Sequence, residues 1–342
     1  MKASIIIPTY NRASQLYRTL QSLMNLKADY NQYEIIVVDN GSNDNTKQIV
    51  YNYKKDFPHI NLRYFFDNIP GLLTGRHRGA KESGGDILVF IDDDIHVDKN
   101  WLVSIISTFT KFPDVHLVGG KCLPLYETTP PDWINNFWHT LQNGDKMLCE
   151  LSLCDFGDVE KEIDATYVWG LNYSIRKKTF IELGGFNPDC IPSKYQCYQG
   201  DGETGLSFKI NKKGYKTIYQ PKALVQHEVP SSRMTLDYFD KRFFYQGVCN
   251  SYTEVRQNNG IIKSRFVKDI KKTIHTFYKS LLNRPNEITN LETFEGGVLM
   301  ERFKSMERAG YLFHQNIARK IPGILEWILK KDYFDYNLPD QL

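Results

Sequence analysis

The amino-acid sequence predicts an α/β fold with a mostly parallel central sheet flanked by helices and a helical C-terminal extension. Three observations lead there: short, continuously apolar runs alternate with helical patterns up to about Gly120, those runs end on polar residues, and the pattern turns helical and polar-basic beyond about Leu236.

The elements follow in order. Strand-like runs at Ala3 to Pro8, Glu34 to Asp39, Leu62 to Phe66, Ile87 to Ile91 and Leu117 to Gly120 are separated by helical patterns at Leu16 to Leu26, Asn45 to Asp56, Leu72 to Ser83 and Trp101 to Phe112. Runs such as IIVV and ILVFI are apolar at every position, as expected where helices cover both faces of a parallel sheet. Thr9, Asp39 and Asp92 end such runs and are expected at the carboxyl edge of the sheet, where open α/β folds bind ligands. From Leu123 to Asp164 the pattern is irregular, with Pro130 and Pro131 ahead of Asp132, Trp133, Phe137 and Trp138, and reads as a loop-rich insertion. Regular elements resume at Tyr173 to Arg176, Thr179 to Leu183, Gly205 to Lys212 and Lys216 to Tyr219, ending near His227. In the extension, Phe266, Ile270, Ile274, Phe277 and Leu281 form an apolar stripe with Lys268, Lys271, Lys272 and Lys279 beside it. Such a helix either packs on the main domain or lies on a membrane surface.

A chain of 342 residues exceeds one ordinary domain, so residues 1–230 are expected as the main domain and 231–342 as the extension. The net charge of +3 is too small for a nucleic-acid partner. Residues 230–342 carry 18 Lys and Arg against 13 Asp and Glu, a net +5, which leaves −2 on the rest. The six cysteines form no CxxC pair, no apolar leader precedes SIIIPTYNR, and no window approaches the roughly 20 apolar residues of a spanning helix. A cytoplasmic setting, extending to the inner face of the membrane through peripheral contact, is therefore expected.

The apolar strand LVFI runs directly into Asp92, Asp93 and Asp94. Crowded like charges raise one another's pKa unless a cation or hydrogen bonds compensate, and a divalent ion is the simple answer. Alternation along an extended strand end would turn Asp92 and Asp94 to one side and Asp93 to the other. Oxygen ligands favour Mn²⁺ or Mg²⁺, which bridge carboxylate and diphosphate oxygens. The same triplet occurs in solvated loops and helix caps; the preceding buried strand sets this one apart.

With these pieces in view, the chain resembles a family 2 glycosyltransferase of the GT-A fold, a Rossmann-like architecture. The resemblance is carried by SIIIPTYNR at 4–12, YEIIVVDNGSNDNT at 33–46, GRHRGAKESGGDILVFIDDD at 75–94 and GLNYSIRKKTFIELGGF at 170–186, and it covers roughly residues 1–230. It implies inverting transfer of a sugar from a nucleoside diphosphate-sugar, a UDP-sugar first, to a hydroxyl of a glycan or lipid-linked glycan, in glycan or polysaccharide biosynthesis. It further implies that Pro8, Thr9, Tyr10 and Arg12 border the nucleotide, that Asp39 meets the base, and that Arg76 lies near the nucleotide. Asp92 and Asp94 then occupy the outer positions of the DxD motif, with Asp93 between them at the donor. Asp39 could instead cap the turn at Asn40 and Gly41, and Arg76 could pair with a carboxylate.

Inverting transfer needs a carboxylate to take the proton of the attacking hydroxyl. In QGDGETGLSFKINKKGY, aligning Leu206, Lys209 and Gly214 with the family pattern puts Glu203 on the usual base and Gly202 where its acidic neighbour is expected; Asp201 is the alternative base. His227, in VQHEVP, stands where some GT-A enzymes supply a third metal ligand beside Asp94 and Asp92. Trp169 and Gly170 are expected beneath the sugar or acceptor, with core packing of the Trp as the alternative. The C-terminal helices are candidates for acceptor, membrane or homo-oligomer contacts. A non-catalytic nucleotide- or glycan-binding module and a nucleotidyltransferase are the rival functions. A dinucleotide oxidoreductase is excluded because the first turn, PTYNRAS, lacks GxGxxG.

Overall fold

A computed structural model describes residues 1–69, 71–141, 143–262 and 295–335. β1 (Ala3–Thr9), β2 (Tyr33–Asp39), β3 (Leu62–Phe66) and β4 (Ile87–Phe90) are interleaved with α1 (Ala13–Leu23), α2 (Thr46–Asp56) and α3 (Leu72–Glu82). The four strands are parallel in the order β3-β2-β1-β4. Every residue of β1, β2 and β4 is buried. Ile5 and Ile7 belong to one apolar cluster and Ile6 to another, one on each face of the sheet, which is why these strands read as unbroken apolar runs.

After β4 the chain turns at Asp93 and Asp94 into β5 (Ile95–Val97), then α4 (Trp101–Lys111) and the long β6 (Val115–Tyr126). The stretch expected to be irregular instead begins inside β6. It continues through β7 (His139–Thr140), β8 (Lys146–Leu148), β9 (Leu153–Asp155) and β10 (Lys161–Glu162), which add short antiparallel pairings to the sheet. Strands of two or three residues are too short to display a period of two.

β11 (Tyr173–Arg176) inserts antiparallel between β4 and β6, followed by α5 (Lys177–Glu182), α6 (Gly202–Lys212) and β12 (Lys216–Val229). β12 runs past the expected end at Tyr219, pairs parallel with β6 and antiparallel with β5, and sets His227 opposite Ile95. His227 thereby reaches the residue next to Asp94.

The described part of the extension is helical: α7 (Leu236–Gln257), α8 (Glu295–Lys320) and α9 (Pro322–Leu329). The Thr235 hydroxyl accepts the Tyr238 N–H and caps α7. α7 and α8 touch backbone to backbone, since a Cβ on Gly247 would stand 1.8 Å from the Glu307 carbonyl oxygen and one on Gly310 1.9 Å from that of Phe244. Phe239 and Phe303 are buried against Trp133 and Phe137 of the insertion, which fastens the helices to the sheet. Burial of each such ring contributes about 1.5–3 kcal/mol. The apolar stripe from Phe266 to Leu281 lies outside the described residues. Among the described helices none is long and apolar enough to cross a membrane.

Candidate active site

The triplet stands in a turn, so strand alternation does not carry through it. Asp92 turns toward α3, where the Arg76 guanidinium donates to its Oδ1 at 2.9 Å. Asp93 accepts the Thr9 hydroxyl at 2.7 Å and faces Arg12 Nη1 at 2.8 Å. Asp94 Oδ2 accepts from Arg12 at 2.7 Å and from Arg233 at 3.1 Å. Asp93 and Asp94 thus share one guanidinium, and Asp92 rather than Asp93 is set apart. Burial pushes the Asp93 pKa up to about 7 against the charge of Arg12. Burial also works to raise Asp94, but the Arg12 and Arg233 guanidinium groups, which donate to its Oδ2, hold it well below the usual carboxylate range. Arginine therefore supplies much of the compensation that sequence reasoning assigned to a metal ion.

His227 is buried. Its Nδ1 lies 2.9 Å from the Leu151 carbonyl oxygen, which can only accept, so Nδ1 carries the proton and Nε2 presents a lone pair. That lone pair accepts from Arg233 Nη1 at 2.8 Å and lies 3.5 Å from Asp94 Oδ2. Asp94 Oδ1 is buried without a hydrogen-bond partner among the described residues. A polarised imidazole nitrogen beside an unsatisfied carboxylate oxygen suits a divalent ion. Among the described residues no three His, Cys, Asp or Glu side chains converge to hold an ion alone, because Asp92 faces Arg76 instead. Of the three residues expected to ligate an ion, Asp94 and His227 stand side by side, and Asp92 is turned away to Arg76.

Arg76, expected near the nucleotide, is 3 % exposed and spans two carboxylates, Asp92 and, at 3.6 Å, Glu203 Oε2. Its guanidinium lies over the Phe186 ring at 5.5 Å, and its Nε has no hydrogen-bond partner among the described residues. Glu203 Oε1 accepts the Gly170 N–H at 3.0 Å. Gly170 also makes room, since a Cβ there would stand 2.4 Å from both Nη atoms of Arg76. Its place is thus beneath Arg76 and Glu203, while Trp169 lines the cavity and packs on the core. Burial raises the Glu203 pKa; Arg76 opposes the shift and Asp189 adds to it.

Asp201 spends both oxygens on structure, accepting from Asn187 at 2.7 Å and from Thr253 on α7 at 2.6 Å. Asp39 is 1 % exposed, and its carboxylate accepts the Ser42 N–H and the Tyr64 hydroxyl, each at 2.7 Å. It caps the turn after β2, so a base would have to share these oxygens. Pro8 is buried at the end of β1, whereas Tyr10 is 57 % exposed.

Arg76, Asp92, Trp169, Gly170, Glu203 and His227 line one cavity of about 920 Å³. Its far wall is a face of α7, with Tyr238, Arg242, Tyr245, Cys249 and Thr253 recurring at helical spacing. Pro8, Thr9, Tyr10, Arg12, Asp39, Asp93 and Asp94 lie outside that lining, along the sheet edge. Sequence reasoning missed Arg233, Asp189 and Arg242; for Arg233 the only cue was its place six residues after His227.

Comparison with known proteins accords with this arrangement. The family described as Glycosyl transferase family 2 matches residues 4–155. A glucosyl-dolichyl phosphate glucuronosyltransferase of Haloferax volcanii is 26% identical over 252 residues, covering 72% of this chain and 75% of its own. A GalNAc(5)-diNAcBac-PP-undecaprenol beta-1,3-glucosyltransferase of Campylobacter jejuni is 36% identical over 95 residues, 27% of this chain and 29% of its own. The mannosyltransferase PcManGT of Pyrobaculum calidifontis, solved with GDP-Man and Mn²⁺, superposes with a TM-score of 0.54 at 16% identity, over 98% of this chain and 88% of its own. The family signature, the named relatives and the shared architecture lead to one conclusion: residues 4–155 carry a glycosyltransferase family 2 domain, and the chain has the GT-A fold.

Proposed function

We propose that this glycosyltransferase transfers a sugar with inversion, in a divalent-metal-dependent reaction, from a nucleoside diphosphate-sugar to a hydroxyl of a lipid-linked glycan. The observation that carries the reading is the placement of Asp92 and Glu203 on either side of the buried Arg76, in one cavity. One group faces the leaving diphosphate and the other the incoming hydroxyl.

Asp94 and His227 would hold Mn²⁺ or Mg²⁺. The ion supplies charge neutralisation for the leaving group. Arg12 and Arg233, already on Asp94, are placed to turn guanidinium hydrogens toward the same phosphates. Glu203, held by the Gly170 N–H, takes the proton of the attacking hydroxyl as its oxygen bonds to the anomeric carbon. The bond from that carbon to the diphosphate oxygen breaks, and its electron pair leaves with the nucleoside diphosphate. Arg76 keeps Glu203 and Asp92 in register.

On this reading residues 1–230 bind the donor and perform the chemistry, and residues 231–342 wall the acceptor space. The names of the Haloferax and Campylobacter relatives, which refer to dolichyl phosphate and to undecaprenol diphosphate, support a lipid-linked acceptor and peripheral contact with a membrane. A thermal-shift screen of UDP-, GDP- and dTDP-sugars with Mn²⁺ tests the donor half. A stabilising shift with one of them, lost in EDTA, is expected, and no shift with any of them overturns the reading.

A further inference from the structure

Asp189 lies between α5 and α6 and lines the cavity that holds Glu203. Its Oδ1 accepts the Cys190 N–H and the Gln199 amide Nε2, each at 2.8 Å. Gln199 is buried, and its own Oε1 accepts the Ile191 N–H at 3.2 Å, so the carboxylate is held in one orientation. The other oxygen, Oδ2, has no hydrogen-bond partner among the described residues and is not enclosed. Nothing in the chemistry above uses it.

Gly202 gives this oxygen its meaning. Its φ is +55°, and a Cβ there would stand 2.9 Å from Asp189 Oδ2 and 3.1 Å from Asp189 Cβ and Cγ. The space that a side chain at 202 would enter is therefore filled by the carboxylate of Asp189. That charge reaches both Glu203 and Arg76. The acid that the sequence lacks beside Glu203 is present in space, delivered from 13 residues earlier in the chain.

We propose that Asp189 is the second carboxylate of the acceptor site, its Oδ2 accepting a hydrogen bond from the incoming acceptor and setting the attacking oxygen against Glu203. The inference rests on the transfer reading given above. The transferred proton still goes to Glu203, and Asp189 remains a carboxylate throughout.

Water serves as the acceptor probe, through slow hydrolysis of the nucleotide-sugar that the thermal-shift screen selects. Asp189→Asn keeps Oδ1 and both hydrogen bonds it receives, and it should slow hydrolysis at least tenfold while the donor-induced thermal shift stays at its wild-type size. The double variant Asp189→Gly with Gly202→Asp moves the carboxylate to a left-handed position that Asp tolerates, and it should recover most of the rate. Wild-type hydrolysis in Asp189→Asn overturns the proposal. So does loss of the donor shift in that variant, or failure of the relocated carboxylate to restore turnover, since either would mean that Asp189 only braces its loop. Glu203→Gln separates the two levels of the argument: if it hydrolyses donor like the wild type, the transfer reading fails, and if it alone is inactive, only the role of Asp189 fails.

Discussion

Gly170→Ala adds a single methyl group at the point where the two halves of the site meet. Gly170 is not among the residues at positive φ, so the substitution carries no backbone penalty of that kind and reports on space alone. The new Cβ would lie 2.4 Å from Arg76 Nη1 and Nη2 and 2.6 Å from Cζ. Carbon and nitrogen atoms rest near 3.5 Å or beyond, so the guanidinium must retreat by roughly 1 Å. It is 3 % exposed, tied to Asp92 at 2.9 Å and seated on the Phe186 ring, which leaves it nowhere to go without loosening Asp92 or Glu203. Overpacking costs about 1–3 kcal/mol, and a weakened charge-assisted hydrogen bond adds about 1.5–3 kcal/mol. A total of about 2.5–6 kcal/mol corresponds to ~3–8 °C in Tm at roughly 2.1 cal/mol/K per residue for 342 residues. Turnover should fall about 100-fold, the usual cost of a 1 Å misplacement of a reacting group. Differential scanning fluorimetry and donor hydrolysis measure the two effects. A variant with a Tm within 1 °C and turnover within about twofold of wild type would falsify the claim that Gly170 seats Arg76 and Glu203.

Asp94→Ala should abolish the Mn²⁺-dependent part of the donor thermal shift, and a shift that survives both the substitution and EDTA rejects the metal role. Glu203→Gln should bind donor normally and lose transfer by about 100-fold or more; full activity would overturn the base role of Glu203 and the transfer reading with it. Because burial raises the Glu203 pKa, the acid limb of kcat/KM should lie above the ordinary glutamate value of about 4.3, and a limb at or below it refutes the burial argument. His77 is buried, with Nδ1 on the Tyr333 carbonyl and Nε2 accepting the Phe186 N–H, and burial lowers its pKa to about 3. Its neutral form belongs to the fold, so the stability it contributes is complete above about pH 6.5 and is lost as pH falls from there toward 3. Tm should drop across that interval, and a His77→Gln variant with the same slope would remove His77 as the cause.

Residues whose role is set by their own strand were legible. The runs SIIIP, EIIVV and ILVF are apolar at every position because both faces of the sheet are covered, and the acids at their ends fall where the strands stop. What escaped notice is set by contacts between distant parts of the chain. No local pattern pairs Arg233 with Asp94 across 139 residues, and a strand as short as β5 has no period to read even though it brings His227 to Asp94. The alternation expected along the triplet failed because a turn begins within it. Gly202 looked like a missing acid, and only the fold shows that a side chain there would collide with Asp189. The aromatic residues of the insertion read as irregular because their partners, Phe239 and Phe303, come a hundred or more residues later.

The paired glycines of α7 and α8 bear on how substrates enter. Two helices in backbone contact at Gly247 and Gly310 cannot slide past each other without meeting a carbonyl, so they act as a keel that fixes the far side of the cleft. The cavity is then shaped by the side chains that stand on that rail, Arg242 and Tyr245 among them. If the acceptor enters this cavity as proposed, it is sorted by the shape of a stationary wall, so altering which molecule is accepted calls for repainting one helical face while the frame stays in place.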